Sequence, residues 1–148
     1  MSLKERIQQD MKDAMRAADK PRLGTIRLML AAIKQIEVDE RKVLDDVEVT
    51  AVLDRMVKQR RESLEQFEKA EREDLAAKER YELEVIQAYL PEPLGEDELS
   101  ALITSTIKEL GASSVRDMGP VMNALRGQVQ GRADMKAVSQ AVKTQLGA

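Results

Sequence analysis

An all-α protein is the fold class this sequence predicts, with an N-terminal helical domain of about four helices, including a long charged hairpin, followed by a small three-helix bundle. Three observations point there. Hydrophobic residues make up 43% of the 148 and aromatics only 2%, so any core must be built from Leu, Ile, Val, Ala and the eight methionines, a palette of packed helices more than of sheets. Apolar residues recur at three- and four-residue spacing along most of the chain. That periodicity is interrupted hard at one place, Tyr89-Leu90-Pro91-Glu92-Pro93-Leu94-Gly95. Proline lacks an amide donor and disfavours helical geometry in the residue before it, so a helix must stop there. No other glycine lies between Gly24 and Gly95, and no other proline between Pro21 and Pro91. The expected organisation is a domain over residues 1–90, a linker over 91–95 and a second domain over 96–148.

The elements follow in order. Ser2-Leu3-Lys4-Glu5 has the capping-box pattern, and Leu3, Ile7, Met11, Ala14, Met15 and Ala18 form the stripe of the first helix. Asp19-Lys20-Pro21 ends it and begins the second, since proline costs nothing in a first turn. Leu23, Ile26, Met29, Leu30, Ile33 and Ile36 cover a wide face, which predicts a helix buried between neighbours to about Val38. Asp45 or Asp46 is expected to cap the third helix, whose stripe is Val49, Val52, Leu53, Met56, Val57, Leu64 and Phe67. Its outer face alternates charge at four-residue spacing. A bend is placed near Glu71, although no glycine or proline marks it. Leu75, Leu83, Ile86 and Leu90 then carry the fourth stripe to the prolines.

Beyond Gly95, Glu96-Asp97-Glu98 supplies the negative charge that a helix start favours. Leu99, Leu102, Ile103, Ile107 and Leu110 make the fifth helix, ended by Gly111 as a left-handed cap. Met118, Val121, Met122, Leu125 and Val129 face inward from the sixth. Pro120 either occupies its first turn behind a Gly119 cap or kinks a helix begun at Ser114. Gly127 and Gly131 frame its exit, and Asp134 caps a seventh helix with Met135, Val138, Val142 and Leu146 inward.

Missing residue types narrow the chemistry. Without cysteine there is no disulfide or thiolate nucleophile, and without histidine no imidazole base or His-ligated zinc. No catalytic residue, cofactor or metal site is expected. Asp39-Glu40 and Asp45-Asp46 lack the glycine-containing loop of calcium sites and read as caps and loop solvation. Met1-Ser2-Leu3-Lys4-Glu5-Arg6 is not a secretory signal, and the longest apolar run, Leu28 to Ile33, is too short to span a bilayer. The default expectation is a soluble cytoplasmic protein.

Charge is unevenly spread. Up to Gly95 there are 18 basic and 21 acidic residues; from Leu99 onward six basic face three acidic. Lys58, Arg60 and Arg61 form a basic cluster whose simpler reading is a solvated, salt-bridged face, leaving them secondary candidates for phosphate. In the tail, Gly119, Gly127 and Gly131 serve either sharp turns and close helix packing or an anion-binding corner. For the second reading, amides at the start of the sixth helix would join Arg116, Arg126 and Arg132, with Lys136 and Lys143 nearby. The tail has no aromatic residue, so contact with RNA would be to phosphate, ribose or shape.

At Asp10 with Lys12-Asp13-Ala14-Met15, Thr25-Ile26-Arg27, Lys58 to Ser63, Tyr89-Leu90-Pro91, Asp117-Met118-Gly119 with Val121-Met122, and Gly131-Arg132-Ala133-Asp134 with Val138, the sequence resembles the YqeY family. The C-terminal part of that family is shared with the tail of GatB, a subunit of glutamine-dependent tRNA amidotransferase. The resemblance implies a helical N-terminal domain and a three-helix tail that faces tRNA. It makes Arg116, Gly119, Arg126, Gly131, Arg132, Lys136 and Lys143 the RNA-binding candidates. It also implies tRNA, and amidotransferase or aminoacyl-tRNA synthetase proteins, as partners. Descriptions of the family extend to it a carbon-nitrogen ligase activity with glutamine as amido-N-donor, but no nucleotide-binding loop or amidase centre is legible here. An adaptor that binds protein and no RNA is the alternative. Two positions depart from the family pattern: Glu71 stands where glycine is common, and Pro120 where lysine is common.

Overall fold

The computed structural model describes residues 1–147. It consists of seven α-helices: α1 Leu3–Arg16, α2 Lys20–Glu40, α3 Asp46–Lys69, α4 Glu73–Gln87, α5 Glu96–Leu110, α6 Met118–Val129 and α7 Met135–Gln145, with a 3₁₀ turn Val115–Asp117 leading into α6. The all-α class is therefore correct. The chain divides into two compact units, from Met1 to Pro91 and from Glu92 onward.

In the N-terminal unit α1 and α2 form one hairpin and α3 and α4 another. Ser2 Oγ accepts from the Glu5 amide at 3.1 Å, starting α1 as its sequence predicts. Asp19 caps α2 with Pro21 in the first turn, and Asp45 with Glu48 forms a full capping box on α3. Ile7, Ile26, Met29, Ile33, Val49, Leu53 and Ile86 are wholly buried at the centre. The expected stripes hold, with three exceptions: Met15 on α1 is half-exposed, Ala18 lies beyond that helix with a φ of 55°, and Leu110, the last residue of α5, is half-exposed.

The bend near Glu71 is real, and its geometry explains the family's preference for glycine. Glu71 has a φ of 56°, in the left-handed region where a side chain is strained and glycine is not. Arg72 N–H reaches back to the Phe67 carbonyl at 2.9 Å, closing the turn that ends α3. A glycine is thus preferred there without being required.

The C-terminal unit packs α5, α6 and α7 around Ile103, Val121, Leu125, Val129, Val138, Val142 and Leu146. Gly111, with a φ of 64°, ends α5 as expected. The start of α6 corrects the sequence reading. Gly119 is not a cap: Ser114 caps the 3₁₀ turn, which runs on into α6, and Pro120 falls in the first turn of that helix. A proline there lacks only a donor that the helix would have left free, so no kink is needed. Gly127 lies inside α6, whereas Gly131, with a φ of 77°, makes the turn after it.

Candidate nucleic-acid interface

Seven tail positions and three on α3 were candidates, and the fold treats them differently. Arg60, on α3, points into the N-terminal unit, where its Nε donates to Glu82 Oε2 at 2.9 Å and both side chains are largely buried. A guanidinium committed to a buried carboxylate is not free for phosphate. Lys58 and Arg61 are exposed on the same helix.

Arg132 is likewise engaged. Its Nε donates to the Glu92 carbonyl at 2.9 Å, Leu94 N–H donates to the Arg132 carbonyl at 2.8 Å, and its guanidinium stands 3.9 Å from Glu98. These contacts fasten the segment before α5 to the turn before α7. Gly131 supplies the left-handed residue that turn requires.

The remaining cations are open. Arg116, Arg126, Lys136 and Lys143 are exposed, and among the described residues none of the four forms an ion pair. Lys136 and Lys143 are seven residues apart, so α7 carries them on one flank, beside the core line of Val138, Val142 and Leu146. Arg126 is on the exposed side of α6, one turn below Met122 and seven residues after Gly119.

The turn leading into the expected anion corner is tied by the chain itself. Asp117 Oδ2 accepts from Ser113 N–H at 2.9 Å and Ser114 N–H at 3.3 Å, and Ser114 Oγ accepts from Arg116 N–H at 3.3 Å. Those amides hold the Asp117 carboxyl below its ordinary range. Two amides just ahead of α6, those of Ser113 and Ser114, are thus taken by a carboxylate. Gly119 and Gly127 offer no close-packing reason either, because a Cβ at each would meet nothing within 4 Å.

Two buried polar arrangements escaped the sequence reading. Glu37 lies on the apolar side of α2, four residues after Ile33, and is 8% exposed. Lys4 Nζ donates to both of its oxygens at 2.8 and 2.9 Å, and Leu44 N–H to Oε2 at 2.9 Å. Those donors, Lys4 first, lower its pKa. A carboxylate in a core register was the visible signal; its partner, 33 residues away, was not. Tyr89, buried at the end of α4, donates its hydroxyl to Asp10 on α1, with the Arg6 guanidinium 4.8 Å from the ring centroid. Burial, and then that hydrogen bond, push the Tyr89 pKa up to about 12. Among the described residues no group of three or more Asp or Glu side chains could hold a metal ion, and no helix is long and apolar enough to cross a membrane.

These motif residues, read as structure, match known proteins. The family model described as "Yqey-like protein" matches residues 4–146, and the chain belongs to the YqeY family. Three curated relatives share the name "Altered inheritance of mitochondria protein 41, mitochondrial". That of Pyrenophora tritici-repentis is 34% identical over 97% of this chain and 80% of its own length. That of Candida glabrata is 31% identical over 95% and 79%. The Eremothecium gossypii protein is 41% identical over 72% of this chain, which spans only about half of that protein, 54%. These names overturn the expectation of a cytoplasmic protein, since the relatives are called mitochondrial. The physical reason is that lack of a secretory apolar segment excludes one export route only; organelle leaders are amphipathic and basic.

Proposed function

We propose that this YqeY-family protein is a non-catalytic accessory of tRNA-linked amidation that binds tRNA through the cations of its C-terminal unit. The observation that carries the reading is the contrast in ion pairing. Among the described residues seven of the eighteen cations of the N-terminal unit are ion-paired, Lys4, Arg16, Lys42, Arg60, Lys69, Arg72 and Arg80, against one of the six in the C-terminal unit, Arg132. Unpaired surface cations of one sign are what a phosphate backbone selects, because each contact releases condensed counterions. The resemblance of this unit to the GatB tail supports tRNA as the nucleic acid, and an amidotransferase or aminoacyl-tRNA synthetase as the setting. The relatives' names speak of inheritance of mitochondria, not of RNA. Intrinsic amide transfer is not part of the proposal, since the chain lacks histidine, cysteine and a nucleotide-binding loop.

The test is fluorescence anisotropy of labelled total tRNA with purified full-length protein at low salt, with a DNA duplex of similar length as control. Saturable binding that prefers tRNA supports the reading. No binding at low salt removes it in favour of a protein adaptor.

A further inference from the structure

The C-terminal unit has a second surface, on the other flank of α7 from Lys136 and Lys143. There α7 and α5 leave an open groove of about 480 Å³. Half-buried Leu99 and Ala141 form part of its lining and pack against the core beneath, and exposed Ala137 lies one turn from Ala141. Small residues on α7 opposite a leucine on α5 make a furrow where a larger apolar side chain would lose water. A polar tie joins the two helices beside it. Gln145 on α7 donates from Nε2 to the Ser100 carbonyl at 3.1 Å and accepts from Thr104 Oγ1 at 2.8 Å, both on α5.

Charge specifies the occupant. Glu96 lines the groove, no cation does, and Glu96 and its neighbour Asp97 are exposed without an ion pair among the described residues. An acidic edge beside an apolar furrow repels a phosphate backbone and suits a helix with aliphatic residues on one face and Lys or Arg at its margin. We infer that the α5–α7 groove docks a basic amphipathic helix of a partner protein, which would leave the Lys136 and Lys143 flank free. The C-terminal unit then joins a protein on one flank to whatever its cations meet on the other, and the docking does not depend on the tRNA reading.

The experiment uses ¹⁵N-labelled full-length protein and a designed, stapled helix of roughly 15 residues, with leucines at four-residue spacing and lysines beside them. The expected result is that amide shifts centre on Leu99, Ala137 and Ala141. The same peptide with glutamates for lysines should bind at least about tenfold more weakly. Ala137→Arg, at an exposed position, should abolish binding with an unchanged circular dichroism spectrum. Glu96→Lys should remove the preference for the basic peptide. Shifts elsewhere only, or equal binding of both peptides, would overturn the inference. So would tRNA that moves the groove amides as strongly as those of Lys136 and Lys143, because the groove would then belong to an RNA surface. Loss of tRNA binding with retained peptide binding would overturn the proposed function and leave this inference standing.

Discussion

The two units solve the same problem of ending helices in different ways. In the N-terminal unit the left-handed residues after α1, α2 and α3 are Ala18, Arg41 and Glu71; in the C-terminal unit the left-handed residues are Gly111, Gly131 and Gly147. Each non-glycine there carries conformational strain of about 1–2 kcal/mol. The N-terminal unit tolerates it because its core holds fifteen buried hydrophobic residues against seven, with the Lys4–Glu37 and Arg60–Glu82 pairs spanning between helices. A small core has less margin. The contrast is one of degree: the N-terminal unit ties seven of its eighteen cations into ion pairs, Lys4 and Arg60 between helices, and the C-terminal unit ties one of six, among the described residues.

The largest effect that could break this comparison is loss of a core side chain. Leu125→Ala and Ile33→Ala both remove fully buried groups, at a cost of about 2–5 kcal/mol each. In scanning calorimetry Leu125→Ala should abolish the transition of the C-terminal unit and leave a second, cooperative one. Ile33→Ala should lower the N-terminal transition without abolishing it. A single transition shifted equally by either substitution would show one cooperative block.

Next come the helix ends. Gly111→Ala should destabilise by about 1 kcal/mol through backbone strain alone, since its Cβ would meet nothing within 4 Å. Glu71→Gly should go the other way by about 0.5–1 kcal/mol, the relief of strain partly offset by a freer unfolded chain. Urea midpoints measure both. If Glu71→Gly destabilises, the strain argument is wrong.

Acid should weaken the N-terminal unit by a smaller amount. The folded pKa of Glu37 lies below its ordinary value of 4.5, so its contribution is fully present above that value and is lost as pH falls through the lowered one. Glu37→Gln should flatten that part of the pH dependence. An unchanged stability profile between pH 5 and pH 3, roughly the titration range of a carboxylate, would contradict the assigned role of the Lys4 pair.

Much of the fold was legible because its signals are local. Caps at Ser2, Asp19, Asp45, Gly111 and Asp134 and the apolar stripes each lie within a few residues of what they determine. The candidate site was far less so. Arg60 and Arg132 were indistinguishable in sequence from Arg61 and Arg126, because their partners Glu82 and Glu92 lie 22 and 40 residues away. The family motifs mislead in the same way. Asp10, Tyr89, Arg60, Asp117 and Gly131 each have a structural task, so resemblance at those positions identifies the fold and says little about a ligand. Pro120 is exposed in the first turn of α6, so Pro120→Lys should restore the cation relatives often carry and raise tRNA affinity about two- to fivefold.

The most direct test of whether the cations of the C-terminal unit, and not those of α3, meet tRNA is the salt dependence of affinity in three proteins. The parent should lose affinity with a log-log slope of about −2 to −3, as roughly three phosphate contacts require. Arg126→Glu with Lys136→Glu and Lys143→Glu should bring binding close to zero with an unchanged helical spectrum, while Lys58→Glu with Arg61→Glu should leave slope and affinity close to the parent's. Equal losses in the two variants, or a parent slope near zero, would contradict the account.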